Sequence, residues 1–131
     1  MSIYDIKAVP GTQYVTAYVP AQAAADVTAY VAAIHLPVRC TVVAAWHVCE
    51  EAVTGADTNS RNLNLDQADG TEKANVDYAA GENATAGVRN AMSTITEFNE
   101  DEGDCLLLES EKVGTGLAVG AGILIVQYRS R

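Results

Sequence analysis

Basic residues, histidines and aromatic residues are scarce in this sequence, and their scarcity excludes several kinds of protein. Lys and Arg total 8 against 17 Asp and Glu, so the formal net charge is −9. Nucleic-acid-binding proteins normally carry a basic patch. The basic residues here form no cluster, so we expect no nucleic-acid partner. No uncharged apolar run approaches the length that spans a membrane, and residues 1–10 lack the apolar core of a signal peptide. We therefore expect no membrane association, and a chain that stays in the cytoplasm where it is made.

The apolar residues that are present are mostly small. They make up 49% of the 131 residues, whereas aromatic residues make up 6%, with one Trp and one Phe. Ala and Val supply much of the apolar total, and such small side chains suit a thin β-sandwich better than a helical bundle. The length fits a single domain.

The stretch from residue 41 to residue 69 indicates the fold class. A strand places alternate residues on one face, and the residues of one parity here are Val42, Ala44, Trp46 and Val48. Because Trp46 is the only tryptophan, we predict that this face lies in the core. Turn-forming residues follow at 54–59. Leu63 and Leu65 then alternate with polar residues, which predicts a half-solvated antiparallel sheet with both leucines inward.

Similar patterns elsewhere predict about eight strands, at residues 12–19, 27–36, 39–49, 61–65, 71–80, 93–98, 105–109 and 123–128. Residues 23–34 hold six Ala and leave a helix open there, but β-branched residues favour a strand. We predict an all-β fold, an antiparallel, jelly-roll-like β-sandwich. We expect residues 1–20 to form an extended N-terminal arm or an edge strand, and residues 21–131 to form the sandwich.

The cysteines and histidines do not form a recognisable metal motif. The three cysteines, Cys40, Cys49 and Cys105, have no zinc-finger spacing. Free buried thiols are one interpretation, and a Cys40–Cys49 or Cys49–Cys105 disulfide is the other. His47 and Cys49 share a strand face, but Cys40 has the opposite parity to His47, and a metal needs three or four convergent ligands. We predict no metal site.

Acidic and glycine-rich loops are also best explained as turns. Asp66, Asp69 and Glu72 do not have the spacing of a calcium loop. The glycines from Gly114 to Gly122 precede a strand, whereas a phosphate-binding loop precedes a helix. No nucleophile accompanies a base and an orienting group. We therefore predict no catalytic residues, no cofactor and no enzymatic activity.

Two loops give the sequence a resemblance to a known family. The first is Thr54-Gly55-Ala56-Asp57-Thr58-Asn59-Ser60-Arg61, followed by a strand. The second is Val113-Gly114-Thr115-Gly116-Leu117-Ala118, followed by Gly120 and an apolar strand to Tyr128. Their order resembles that of small β-sandwich proteins encoded in tailed-phage head gene clusters, the capsid decoration (cement) and head-fibre proteins. The resemblance covers roughly residues 29–131.

The resemblance implies a structural virion protein on the outer capsid surface, where it would stabilise the expanded shell. Its expected partner is the major capsid protein, and the family resemblance implies a homotrimer or a monomer. Tyrosines lose little conformational entropy on binding, and residues 27–34 are apolar on both faces. The expected capsid or subunit contacts are Tyr4, Tyr14, Tyr18, Tyr30 and Ile34. Ordinary strand packing is the alternative explanation for the tyrosines.

Two other functions compete with decoration. A jelly-roll head-fibre module could bind a carbohydrate or another host-surface ligand, with Tyr30 or Tyr78 stacking on a sugar ring. The low aromatic content of 6% speaks against it. A cupin-type jelly-roll enzyme would need several metal-binding histidines, and the chain has two.

Overall fold

The computed structural model describes residues 11–93 and 95–131. These residues form nine strands: β1 (Thr12–Val19), β2 (Ala29–His35), β3 (Cys40–Cys49), β4 (Ser60–Gln67), β5 (Glu72–Asp77), β6 (Arg89–Ala91), β7 (Phe98–Glu100), β8 (Cys105–Val113) and β9 (Gly122–Ser130). None of the described residues lies in a helix. The described part of the chain accordingly holds no helix that could cross a membrane.

The strands form two antiparallel sheets. Sheet 1 has the order β1-β9-β3-β6, and β7 pairs with the other end of the same β3 edge. Sheet 2 has the order β2-β8-β4-β5. The chain passes from one sheet to the other at most connections, as it does in a jelly roll. The predicted all-β, antiparallel, jelly-roll-like sandwich is therefore confirmed.

The core lies between the two sheets and follows the two-residue period of the strands. In sheet 2 the inward residues include Leu63, Leu65, Leu106 and Leu108, all with no exposure. In sheet 1 they include Val42, Leu124 and Val126, also with no exposure. The prediction that Leu63 and Leu65 face inward is confirmed.

A β-bulge in β3 reverses one prediction. The pairing of β3 with β9 shifts between Val42 and Ala44, and a bulge adds one unpaired residue that changes the facing parity. Val42 is buried before the bulge, and Ala45 and His47 are buried after it. Trp46 therefore lies on the outer face of sheet 1, and the prediction that it faces the core is wrong.

Several predicted strand bounds also change. The alternative of a helix at residues 23–34 is wrong, because this region contains a turn followed by β2. The strand predicted at 93–98 is replaced by two three-residue strands, β6 and β7. Residues 12–19, predicted as part of an arm or edge strand, form the edge strand β1, which pairs with β9 along its whole length. Residues 1–10 lie outside the described part of the chain.

Candidate binding face

The outer face of sheet 1 carries apolar and aromatic side chains on neighbouring strands, with a few polar side chains among them. The strand register aligns Thr16, Ile125, Trp46 and Ala91 in one row across four strands. The next row contains Tyr18, Ile123, Val48 and Arg89. We call the central part of this surface the sheet 1 face; its members are Tyr14, Thr16, Tyr18, Ala44, Trp46, Val48, Arg89, Ala91, Ile123, Ile125 and Gln127.

Large apolar side chains on the sheet 1 face are open to solvent. Tyr18 is 64% exposed, Tyr14 is 55% exposed and Ile123 is 39% exposed. Single exposed apolar residues are ordinary, whereas contiguous ones mark interaction surfaces. The register places these three on adjacent strands, β1 and β9, so they form one surface.

Trp46 organises the centre of the sheet 1 face. Its ring centroid lies 6.2 Å from that of Tyr14, with the ring planes tilted by 40°. On the other side, the Arg89 Cζ atom lies 4.7 Å from the Trp46 ring centroid, within the range of a cation–π interaction. The Gln127 side-chain amide donates to the Tyr14 hydroxyl oxygen at 3.3 Å. These contacts hold the aromatic rings in defined positions before any partner binds.

A pocket of about 240 Å³ opens beside Trp46. Its lining includes Trp46, Ala44, Met92 and Ile95. It lies where β3 carries its bulge, between the positions at which β6 and β7 pair with β3. The pocket is large enough for an apolar side chain, the type of group that anchors many protein interfaces.

Negative charge is distributed unequally between the two sheets. The strands β1, β3, β6 and β9 contain no Asp or Glu. In sheet 2, strands β4, β5 and β8 contain five acidic residues, Asp66, Glu72, Asp77, Glu109 and Glu111. Since the inward positions of these strands are occupied by leucines and Ala74, alternation directs Asp66, Asp77, Glu109 and Glu111 to the outer face of sheet 2. Glu72 joins them because the register shift in the β4–β5 pairing places it opposite Asp66. In a chain of net charge −9, the central strands of sheet 1 therefore carry no carboxylate. Carboxylates occur at its β7 end, where β7 contains Glu100 and Glu97 pairs with Arg129 at 3.1 Å.

Asp66 is the most enclosed of these carboxylates, with 4% exposure. The Tyr30 hydroxyl donates to Asp66 Oδ2 at 3.0 Å, while Asp66 Oδ1 is buried with no hydrogen-bond partner in the described part of the chain. Burial raises the pKa of Asp66, the hydrogen bond from Tyr30 lowers it, and the charges of Glu109, Glu72 and Glu111 raise it further. The outer face of sheet 2 therefore holds carboxylates that repel one another.

The five predicted contact residues do not lie on one surface. Tyr14 and Tyr18 lie together on the sheet 1 face, and Tyr30, 48% exposed, lies in β2 of sheet 2. Ile34 is 1% exposed and packs in the core, because the bulge between Tyr30 and Ala32 in β2 shifts the pairing with β8. The inclusion of Ile34 among surface contacts is therefore a mistake. Tyr4 lies outside the described residues.

Tyr78 is buried with no exposure, so the prediction that it could stack on a sugar is wrong. The His47 Nδ1 atom lies 2.7 Å from the Tyr78 hydroxyl oxygen, and Cys49 Sγ lies 3.5 Å from both atoms. The Asn90 amide donates to the same hydroxyl oxygen at 3.3 Å. Cys40, Cys49 and Cys105 are free thiols. The polar cluster therefore fills part of the core.

Arg61 is a buried structural residue that sequence reasoning did not single out. It has no exposure. Its guanidinium donates to Ser110 Oγ at 2.9 Å and to four backbone carbonyl oxygens, those of Ala23, Ala24, Asp26 and Leu117, at 2.8 to 3.1 Å. Burial lowers the pKa of Arg61 and the charge of Asp26 raises it. Arg61 thereby fixes the β1–β2 and β8–β9 connections. The sequence did contain a signal for this burial, because Arg61 alternates with Leu63 and Leu65 and therefore shares their inward face of β4.

No metal-binding cluster occurs in the part of the chain that the structure describes. Within it, no three His, Cys, Asp or Glu side chains converge as metal ligands would. Asp69, one member of the acidic loop considered from sequence, accepts a hydrogen bond from the Thr71 backbone N–H at 2.9 Å, which is typical of a turn.

Comparisons with known proteins add no identification. No family profile, curated protein or solved structure matches the chain.

Proposed function

We propose that this protein is a structural, non-enzymatic virion protein that binds the outer surface of a tailed-phage capsid and stabilises the expanded shell. Its partner would be the major capsid protein, and it would be located on the outside of the virion. The observation that carries the proposal is the sheet 1 face, a largely aromatic and apolar surface whose four strands, β1, β3, β6 and β9, hold no carboxylate. The resemblance to decoration proteins supplies the class of partner.

The physical properties of the sheet 1 face suit a permanent structural contact. Its side chains stand on a β-sheet, so little backbone entropy is lost when a partner binds. Tyr18 and Ile123 offer apolar area, and the pocket beside Trp46 can accept an apolar side chain. Burying an unpaired charge is costly. The strands β1, β3, β6 and β9 present no carboxylate, so Arg89, which lies over the Trp46 ring, is the charged member of the face that a partner must accommodate.

A carbohydrate-binding head-fibre module is the second candidate. The observation in its favour is the pair of aromatic rings, Tyr14 and Trp46, with centroids 6.2 Å apart on an open face. Aromatic rings stack on the apolar faces of sugars. However, Arg89 already lies over the Trp46 ring, and this contact leaves less of the ring free for a ligand.

Co-sedimentation with purified phage heads tests the decoration proposal. The protein is titrated against undecorated expanded heads and against unexpanded precursors. We expect saturable binding to expanded heads only, together with greater resistance of the heads to heat. Tyr18→Ser should weaken the binding, whereas Val27→Ser, which changes a residue of 73% exposure in the loop before β2, should not.

Each outcome separates the two candidates. Absence of binding to both kinds of head would overturn the decoration proposal. Binding to a glycan array that is lost in Tyr14→Ser would favour the carbohydrate module. Equal loss of head binding in Tyr18→Ser and Val27→Ser would remove the sheet 1 face as the contact surface.

A further inference from the structure

Strand β1 has an unpaired edge among the described residues. All eight of its residues, from Thr12 to Val19, pair with β9 in one continuous register without a bulge. No other described strand pairs with β1. An antiparallel strand paired on one side directs half of its backbone N–H and C=O groups away from its partner. Those groups form a template for a further strand.

The other sheet edges carry features that discourage pairing, and β1 carries none of them. Strand β2 is interrupted by a bulge at Tyr30/Ala32. Strand β5 has a bulge and the charged residues Glu72, Lys73 and Asp77. Strands β6 and β7 have three residues each. Bulges, charges and short length are the usual protections of sheet edges. The sequence of β1, Thr-Gln-Tyr-Val-Thr-Ala-Tyr-Val, contains no charge and no proline.

We propose that the partner of this edge is β1 of a second copy, paired antiparallel about a two-fold axis. Directly opposed residues in an antiparallel pair lie on the same face, so the axis must pass through a residue position. An axis at Thr16 places Thr16 opposite its own copy and Tyr14 opposite Tyr18. On the inner face it places Val15 opposite Ala17. Aromatic–aromatic and Thr–Thr pairs of this kind stabilise sheets.

The distribution of charge favours a second copy as the partner. Two molecules of net charge −9 repel each other, and their approach costs least where neither presents a carboxylate. Strands β1 and β9 contain none. Pairing through β1 joins sheet 1 of both copies into one sheet and keeps the acidic faces of sheet 2 apart from the contact. The inference concerns self-association and does not depend on capsid binding. It predicts a dimer, in contrast to the homotrimer or monomer that the family resemblance implies.

Sedimentation equilibrium and light scattering of the purified full-length chain test the stoichiometry. The expected species at high protein concentration has twice the 13.8 kDa mass of the chain. Thr16→Lys should weaken the dimer about tenfold, since it places two like charges opposite each other at the axis. A monomer at every concentration, or a trimer, would overturn the proposal.

Cysteine cross-linking tests the register, in a Cys105→Ser background that removes the half-buried thiol. The Thr16 Cα atoms of the two copies would be about 4.5–5.5 Å apart, within the range that a disulfide spans. The Thr12 Cα atoms would be about 27 Å apart, from eight residues at the strand rise. Thr12 and Thr16 are both exposed on the same face, so they form a matched pair.

We expect mild oxidation to link Thr16→Cys into a dimer and to leave Thr12→Cys unlinked. Equal cross-linking of the two variants would indicate random collision and would overturn the proposed pairing. Failure of both to cross-link would overturn it as well. Because no phage heads are present in these experiments, a negative result here leaves the test of the decoration proposal unaffected.

Discussion

The Nδ1 nitrogen of His47 and the hydroxyl oxygen of Tyr78 are 2.7 Å apart, and both side chains are fully buried. Among the described residues, His47 Nε2 has no hydrogen-bond partner. A buried N–H donor without an acceptor is rarer than an unpaired acceptor, so the favoured tautomer carries its proton on Nδ1. His47 then donates to Tyr78, and the Tyr78 hydroxyl donates to Cys49 Sγ. The cluster is neutral and internally hydrogen-bonded.

This geometry predicts acid sensitivity. Burial lowers the pKa of His47 from 6.5 to about 4, so the folded state binds fewer protons than the unfolded state between these values. The contribution of neutral, buried His47 to the free energy of unfolding is complete above pH 6.5 and is lost as the pH falls towards 4. Complete protonation of His47 lowers the free energy of unfolding by about 3 kcal/mol. Urea unfolding of the wild type and of His47→Gln at pH 7 and pH 4.5 measures it.

The carboxylates act in the opposite direction, so the comparison with His47→Gln is needed. The pKa values of Asp66, Asp77 and Glu100 are raised mainly by burial, and these groups favour folding as the pH falls. Between pH 7 and pH 4.5, the free energy of unfolding of the wild type should therefore fall relative to that of His47→Gln. If that difference is independent of pH, His47 does not titrate as its burial implies.

Replacement of Arg61 should destabilise the fold strongly. Arg61→Lys leaves one ammonium group to replace a guanidinium that bonds Ser110 and four carbonyl oxygens, and it leaves a charge with fewer hydrogen bonds at a position without exposure. We expect a loss of about 3–5 kcal/mol in the free energy of unfolding. Arg39→Lys, at an exposed position, should change it by less than about 0.5 kcal/mol. Similar values for both variants would contradict the structural role of Arg61.

Asp66→Asn should stabilise the protein at neutral pH. The substitution removes a buried charge that lies near Glu109 and Glu72, while an amide oxygen can still accept the bond from Tyr30. We expect a gain of about 1 kcal/mol at pH 7, which disappears at low pH where Asp66 is protonated in both folded and unfolded states. Thermal unfolding at pH 7 and pH 3 measures it. Tyr30→Phe, which removes the one hydrogen bond to Asp66 Oδ2, should have the opposite sign at pH 7.

Gly122 allows β9 to approach β3 closely. A Cβ atom at Gly122 would lie 2.0 Å from the Val48 carbonyl oxygen, whereas at Gly120 the nearest atom would be 3.5 Å away. Gly122→Ala should therefore cost about 2 kcal/mol or more, and Gly120→Ala should be nearly neutral. Chemical denaturation of both variants measures the difference. Equal stability of the two would show that β3 and β9 can separate without cost.

The two-residue alternation of the strands could be predicted from the sequence. Which of the two sets of alternate residues faces the core could be predicted only for some strands. Alternation in β4 placed Leu63 and Leu65 inward, as the structure has them. In β3, the same alternation assigned Trp46 to the wrong face, because a bulge depends on the partner strand β9, which the sequence of β3 does not contain.

The candidate site was found in part. Tyr14 and Tyr18 were named from sequence, and both are exposed on the sheet 1 face. Their association with Trp46 and Ile123 depends on strand order, which joins residues distant in the chain. The burial of Arg61 was missed because charged residues are rarely buried, although its parity matched that of Leu63. The separation of the acidic strands into sheet 2 likewise follows from topology.

The bulge at Val43 determines which side chains in the rest of β3 face the core and which face outward. Residues before it and after it obey opposite inside–outside rules, so a single deletion there would exchange the two sides of everything downstream as far as Cys49. Trp46 would then enter the interior, and His47 with Cys49 would turn to solvent. The number of residues in β3 is therefore more strongly constrained than the type of residue at position 43. We expect β3 to tolerate many substitutions of Val43 but not its deletion.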